Sequence, residues 1–128
     1  MGRIVANVRI TNLLDRESKI NCDGLVDTGA AYMVLPQAWK SRLGKITTVR
    51  EINCAMATQE TVRGEVCGPV EIVIEGFKPI YSEVLFWEMK PENGGYEPLI
   101  GYIVLEQAQA TVDMIGHRLV HVKQADLK

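Results

Sequence analysis

No stretch of the 128 residues approaches the roughly 18 consecutive apolar positions that a membrane-spanning helix needs, so no membrane partner is expected. A basic surplus is also missing. Fourteen Lys and Arg stand against sixteen Asp and Glu, a net charge of −2, whereas phosphate-backbone binding needs an excess of cations on one face; nucleic acid is excluded as the main partner. Cysteine is scarce and odd in number: Cys22, Cys54 and Cys67 cannot form a complete disulfide framework and read as free thiols of a reducing, cytoplasmic setting. The opening MGRIVANVRI lacks the continuous apolar segment of a signal peptide, and Ala6 stands where a myristoylation pattern has Ser or Thr. No tandem repeat occurs. Gly94-Gly95 lacks the Lys-Ser/Thr of a phosphate loop, and His117 and His121 lie in no metal-ligand spacing, so neither a nucleotide nor a metal is expected.

What is present suits one globular unit. The chain is 47% hydrophobic and 23% charged, near the average for proteins with a real core, and its length predicts a single domain spanning 1–128. Eleven Gly, five Pro and only two Phe favour short strands and tight turns over long helices, so an all-β fold with one or two short helices is predicted.

Alternation of Ile4, Ala6, Val8 and Ile10 with Val5, Asn7 and Arg9 predicts a half-buried first strand. Asp15, Arg16, Glu17 and Ser18 read as a polar turn, and 19–26 as a second strand. Pro36 fits the first position of a short helix containing Trp39 and Leu43 and stopped by Gly44. Residues 45–76 predict a long hairpin with Thr58-Gln59-Glu60-Thr61 at its tip and bulges at Gly64 and Gly68 on its return strand. A strand at 80–87, a loop at 88–98, a short helix at 102–110 and a hairpin at 111–122 turning at Gly116 complete the plan. One weak internal echo stands out: Leu25-Val26 and Leu99-Ile100 are each two aliphatics running into a glycine turn.

The chemistry-bearing feature is Asp27-Thr28-Gly29. By itself such a triplet is ordinarily a turn, since Asp and Gly are both turn formers. Its surroundings are more specific: Leu25-Val26 before it, Ala30-Ala31 after it, then Val34-Leu35-Pro36 opening a helix. A carboxylate that must activate water is best placed on an exposed turn anchored by an aliphatic strand. Asp27 occupies such a position; Thr28 can brace the turn, Gly29 permits close approach of another backbone, and Ala30 keeps the floor small.

Leu-Val-Asp-Thr-Gly-Ala, with the downstream Leu99-Ile100-Gly101 and helix, resembles the retropepsin-like aspartic proteases over most of the chain. The resemblance implies a closed β-barrel forming one acid-protease lobe, with Asp27 as catalytic carboxylate and Thr28, Gly29 and Ala30 as its turn. It also implies a flap at Ala57, Thr58, Gln59 and Glu60 over a peptide or protein substrate, and Leu99, Ile100 and Gly101 as a second glycine turn. Tyr102 and Ile103 follow Gly101 where the family often carries a polar or charged residue and then Asp or Asn. Because the mechanism needs two carboxyls and the chain holds one such triplet, a homodimer is implied, with no cofactor.

Asp23 is no substitute for the second carboxyl, being four strand residues and over about 13 Å from Asp27. A Cys nucleophile is disfavoured because Cys22 and Cys67 fall in apolar strand settings. A hairpin centred between Glu60 and Thr61 would set Cys54 against Cys67, where a disulfide could clasp the flap. Two other readings stay open: a dimeric module that holds an extended peptide in the same groove without cutting it, and a β-rich interaction protein with an accidental Asp-Thr-Gly.

Overall fold

A computed structural model describes residues 3–55 and 58–122 of the chain. Its strands are β1 (Val5–Asn12), β2 (Asp15–Val26), β3 (Met33–Pro36), β4 (Thr47–Ala55), β5 (Thr61–Ile74), β6 (Ile80–Trp87), β7 (Leu99–Ile100), β8 (Ala110–Asp113) and β9 (Arg118–His121). A 3-10 helix runs over Gln37–Leu43 and a short α-helix, α1, over Tyr102–Gln107. Seven strands form one sheet in the order β1-β2-β7-β3-β6-β5-β4, and β1 also pairs with β5. That extra pairing closes six strands into a ring and leaves β4 outside it, at an edge. The described residues therefore adopt an all-β fold with two short helices.

The ring closes because its strands carry one apolar face each. Val8 and Ile10 of β1, Ile20 of β2, Val70, Ile72 and Ile74 of β5, and Val84 and Phe86 of β6 fill its interior, each fully or nearly fully removed from water. Leu43 of the 3-10 helix and Val104 and Leu105 of α1 pack against the same core. Burial of such aliphatic and aromatic side chains is the dominant favourable term for a domain of this size.

Several local expectations are corrected. The first turn lies at Leu13 and Leu14, and Asp15 to Ser18 already belong to β2. Buried Asn12 decides this: its side chain accepts the Leu14 N–H at 2.9 Å and donates to the Leu43 carbonyl at 2.8 Å, tying the turn to the helix end. Pro36 is the last residue of β3, extended at φ −67°, ψ 140°, and caps the helix instead of starting it. Gly64 sits in register opposite Ile52 and Trp87, while the irregularity on the β6 side falls at Gly68-Pro69. Helix α1 stops at Gln107 and β8 starts at Ala110, because Gln109 takes a left-handed φ of 55°. In the last hairpin His117, not Gly116, has the positive φ; the Asp113 carboxylate fixes that turn by accepting the N–H groups of Ile115 and Gly116 at 3.1 and 2.9 Å.

The cysteine clasp is also overturned. Cys54 lies opposite Val62 and Cys67 opposite Thr48, so the register keeps the two apart along the hairpin. Cys67 is buried and Cys22 half-buried, both free. Burial, with the Asp23 charge adding and Arg42 opposing, pushes the Cys22 thiol up to about 11, and burial likewise raises Cys67. Since only the thiolate reacts, Cys22 in the native protein is expected to alkylate with iodoacetamide at pH 8 about 100-fold more slowly than in urea, as read by mass spectrometry.

Candidate active site

Strand β2 delivers Asp27 to an open turn. Its last residues run parallel to β7, with Leu25 opposite Leu99 and Val26 opposite Ile100. The two similar segments noted in the sequence are thus direct neighbours. At the end of the pair, the Asp27 N–H donates to the Ile100 carbonyl at 3.0 Å, and the Ala30 N–H to the Asp27 carbonyl at 3.1 Å. One carboxylate oxygen of Asp27 accepts the Gly29 N–H at 2.9 Å, which folds the loop over its own side chain. A Cβ at Gly29 would stand 3.2 Å from that oxygen, so glycine keeps the carboxylate uncrowded. Asp27 is half-exposed, and Thr28 and Gly29 are exposed.

The loop is braced from behind by α1. The first N–H groups of a helix have no partners within it; here Tyr102 donates to the Ala30 carbonyl at 2.8 Å and Ile103 to the Ala31 carbonyl at 3.0 Å. This contact requires Gly101. A Cβ there would fall 2.3 Å from the Tyr32 carbonyl oxygen and 2.5 Å from the Ala31 carbonyl carbon. Asp27, Thr28, Gly29, Ala30, Leu99, Ile100 and Gly101 are thereby brought together. The expected bracing by Thr28 is not found: its hydroxyl makes no hydrogen bond among the described residues.

Two hollows flank the loop. One, of about 480 Å³, is bounded by Asp27 and Thr28 together with Arg3, Ile4, Val112 and Met114. The other, of about 300 Å³, is an apolar groove between the loop, at Ala30 and Tyr32, and the β4–β5 hairpin, at Ile52 and Ala55, with Leu85 and Trp87 as its floor. Among the described residues, no second carboxylate lines either hollow. Of the expected flap residues, Thr58, Gln59 and Glu60 are exposed at the hairpin end, Gln59 with a left-handed φ of 66°; Ala57 lies outside the described residues. Asp23 is exposed on β2, 3.3 Å from the Asn7 side-chain amide.

Tyr32, Ile52, Leu85 and Trp87 escaped the sequence reading as groove residues. A signal was available for two of them: Leu85 and Trp87 occupy alternate positions of the 80–87 strand and so share a face. They belong to a second, smaller apolar cluster with Val34 and Val66, distinct from the ring interior. The Trp87 indole nitrogen is buried and has no hydrogen-bond partner among the described residues.

No protein-family model matches the chain, nor does any curated protein sequence. Among solved structures, that of EIAV protease complexed with the inhibitor HBY-793 superposes with a TM-score of 0.62 over 88% of this chain and 94% of that one, at 22% identity. The fold is retropepsin-like. At such low identity the likeness extends to the path of the chain. What the chain does rests on its own site, and fold alone never fixes activity.

Among the described residues, no group of three or more His, Cys, Asp or Glu side chains could hold a metal ion, and no helix is long and apolar enough to cross a membrane. His117 sits in the last turn, while His121 stacks on Phe77 with ring centroids 4.3 Å apart.

Proposed function

We propose that the chain is an aspartic endopeptidase that works as a homodimer, each copy supplying one Asp27. The observation that carries this reading is a half-exposed carboxylate held on a braced turn beside an apolar groove, in a retropepsin-like fold, with no second carboxylate among the described residues that line the two hollows beside it. Two Asp27 carboxyls about 3 Å apart across a two-fold axis cannot both ionise readily, so the pair holds one proton. The ionised member takes a proton from a water molecule whose oxygen attacks the peptide carbonyl carbon. The protonated member gives its proton to the carbonyl oxygen, and the resulting diol breaks down as a proton passes to the leaving amine. Water is the nucleophile, and the scheme calls for no cofactor.

The remaining elements take supporting roles. Gly29 and Ala30 shape the turn through their bonds to Asp27, Thr28 stands exposed within it, and Leu99, Ile100 and Gly101 hold it from below. The end of the β4–β5 hairpin, at Thr58, Gln59 and Glu60, lies over an extended peptide that adds to it as a strand. The alternative, a dimer that holds peptides without cutting them, would use the same groove but has no role for an uncrowded carboxylate.

A subunit-mixing experiment tests the shared site. Wild-type chain is dissociated and reassociated with rising amounts of Asp27→Asn chain, and cleavage of a fluorogenic peptide pool is followed. A site built from two copies predicts that activity per wild-type chain falls to about half in an equal mixture, because half of the wild-type chains then sit in mixed dimers. Activity per wild-type chain that stays constant at every ratio would mean that each copy carries a complete site, and the shared dyad would be abandoned.

A further inference from the structure

The groove beside Asp27 has one firm wall and one weak wall. The firm wall is the loop 29–32, held to α1 and β7. The weak wall is the β4–β5 hairpin beyond Gly64, the last residue of β5 on this side to pair with β6, where it meets Trp87. From there outward the hairpin is a two-stranded ribbon, and among the described residues no strand pairs with the other edge of β4. Two-stranded ribbons have little stability of their own, so side-chain contacts at the base of the ribbon decide where it rests.

One such contact bridges both walls. The β4 register shifts between Thr48 and Arg50, and a bulge of this kind re-aims the side chains that follow it. Just beyond, the Arg50 guanidinium reaches across β5 to Glu83 of β6, at 3.1 Å and 3.5 Å to its two carboxylate oxygens. It also donates to the Tyr32 hydroxyl and lies 5.8 Å from the centroid of the Tyr32 ring. Gly68 of β5 leaves room for the Glu83 side chain: a Cβ there would stand 3.2 Å from the Glu83 Cγ.

We propose that Arg50 is a positioning residue that latches the hairpin to the Asp27 loop through Tyr32, and so sets the width of the substrate groove. Isolated exposed ion pairs contribute little. This one differs in joining three elements through a planar fork that fits the carboxylate with two donors and has another for the phenol. Opening the latch leaves Asp27 and its hydrogen bonds untouched. It lets Ile52 and Ala55 swing away from Ala30 and Leu99, which weakens substrate holding more than chemistry.

Two readouts test the latch, the second of which rests on the peptidase reading. In hydrogen exchange followed amide by amide, Arg50→Ala is expected to speed the hairpin amides of Ile52–Ala55 and Thr61–Gly64 about fivefold, with the β1 amides of Val8 and Ile10 unchanged. Arg50→Lys keeps the charge and one donor nitrogen but loses the planar fork, and should fall between. Tyr32→Phe should reproduce part of the effect and make Arg50→Ala less costly in its background, because the two residues share one bond. In peptide cleavage, Arg50→Ala should raise KM about fivefold with kcat within about twofold. Unchanged hairpin exchange, equal acceleration in β1, or a fall in kcat at constant KM overturns the latch. If no chain, wild type included, cleaves peptide, the peptidase reading falls and the exchange result alone decides the latch.

Discussion

Asp27→Asn is expected to lower peptide cleavage by about 10²- to 10⁴-fold while leaving the fold intact, because it removes a proton acceptor and donor without removing the acceptor that shapes the turn. An Asn side-chain oxygen can still take the Gly29 N–H that now lies 2.9 Å from the carboxylate, and Asn is itself a turn former. The melting temperature should therefore match wild type, with stability changed by less than about 0.5 kcal/mol. Asp27→Ala provides the contrast: it loses the Gly29 acceptor as well, and costs about 1 kcal/mol in addition to activity. Cleavage assays and thermal melts on the three proteins separate the effects. Equal cleavage by wild type and Asp27→Asn would remove Asp27 from the chemistry. Peptide binding without cleavage by wild type would instead favour the non-catalytic module.

Much of the fold was legible because its strands follow the period of two. The alternation at 4–10 marked β1, the run at 80–87 coincides with β6, and the loop at 88–98 joins β6 to β7. The errors cluster where a single side chain overrides the pattern. Asn12 and Asp113 each fix a turn by binding backbone N–H groups, and neither bond shows in hydrophobic periodicity. The hairpin register differs from expectation because the strands end at Ala55 and resume at Thr61, so the true centre lies short of the Glu60–Thr61 junction. A shift of that size carries Cys54 from Cys67 to Val62.

The candidate site was legible in its loop and opaque in its groove. Asp-Thr-Gly between aliphatics and small residues is a local signal, readable without a partner strand. The similarity of Leu25-Val26 to Leu99-Ile100 was also readable, but not its meaning. A two-residue strand such as β7 carries too few positions for periodicity to speak, and parallel pairing across more than seventy residues has no turn between its partners to announce it. Tyr32, Ile52 and Trp87 come from three different strands or loops. Only the strand order β3-β6-β5-β4 places them on one hollow.

Gly101→Ala is expected to be the most damaging single-methyl change in the described chain. Overpacking in a tight region usually costs about 1–3 kcal/mol through shifts of neighbouring side chains. At Gly101 the obstructing atoms are backbone: the new Cβ would lie 2.3 Å from the Tyr32 oxygen and 2.5 and 2.6 Å from the Ala31 carbonyl carbon and oxygen. Main chain cannot rotate away as a flexible side chain does, so either α1 or the loop 29–32 must move. Either movement breaks the bonds from Tyr102 and Ile103 to the Ala30 and Ala31 carbonyls, which are the brace under Asp27. A loss of about 3 kcal/mol or more, and a melting temperature lowered by about 10 °C or more, should follow. Gly95→Ala is the matched control: nothing lies within 4 Å of its would-be Cβ, and its melt should overlay wild type. A Gly101→Ala melt that also overlays wild type would show that α1 docks on the Asp27 loop without needing this close approach. If the loss is as large as expected, residual cleavage measured well below the lowered melting temperature reports on the brace itself. Activity that stays reduced in the folded variant ties the position of Asp27 to the contact at Gly101, some seventy residues downstream.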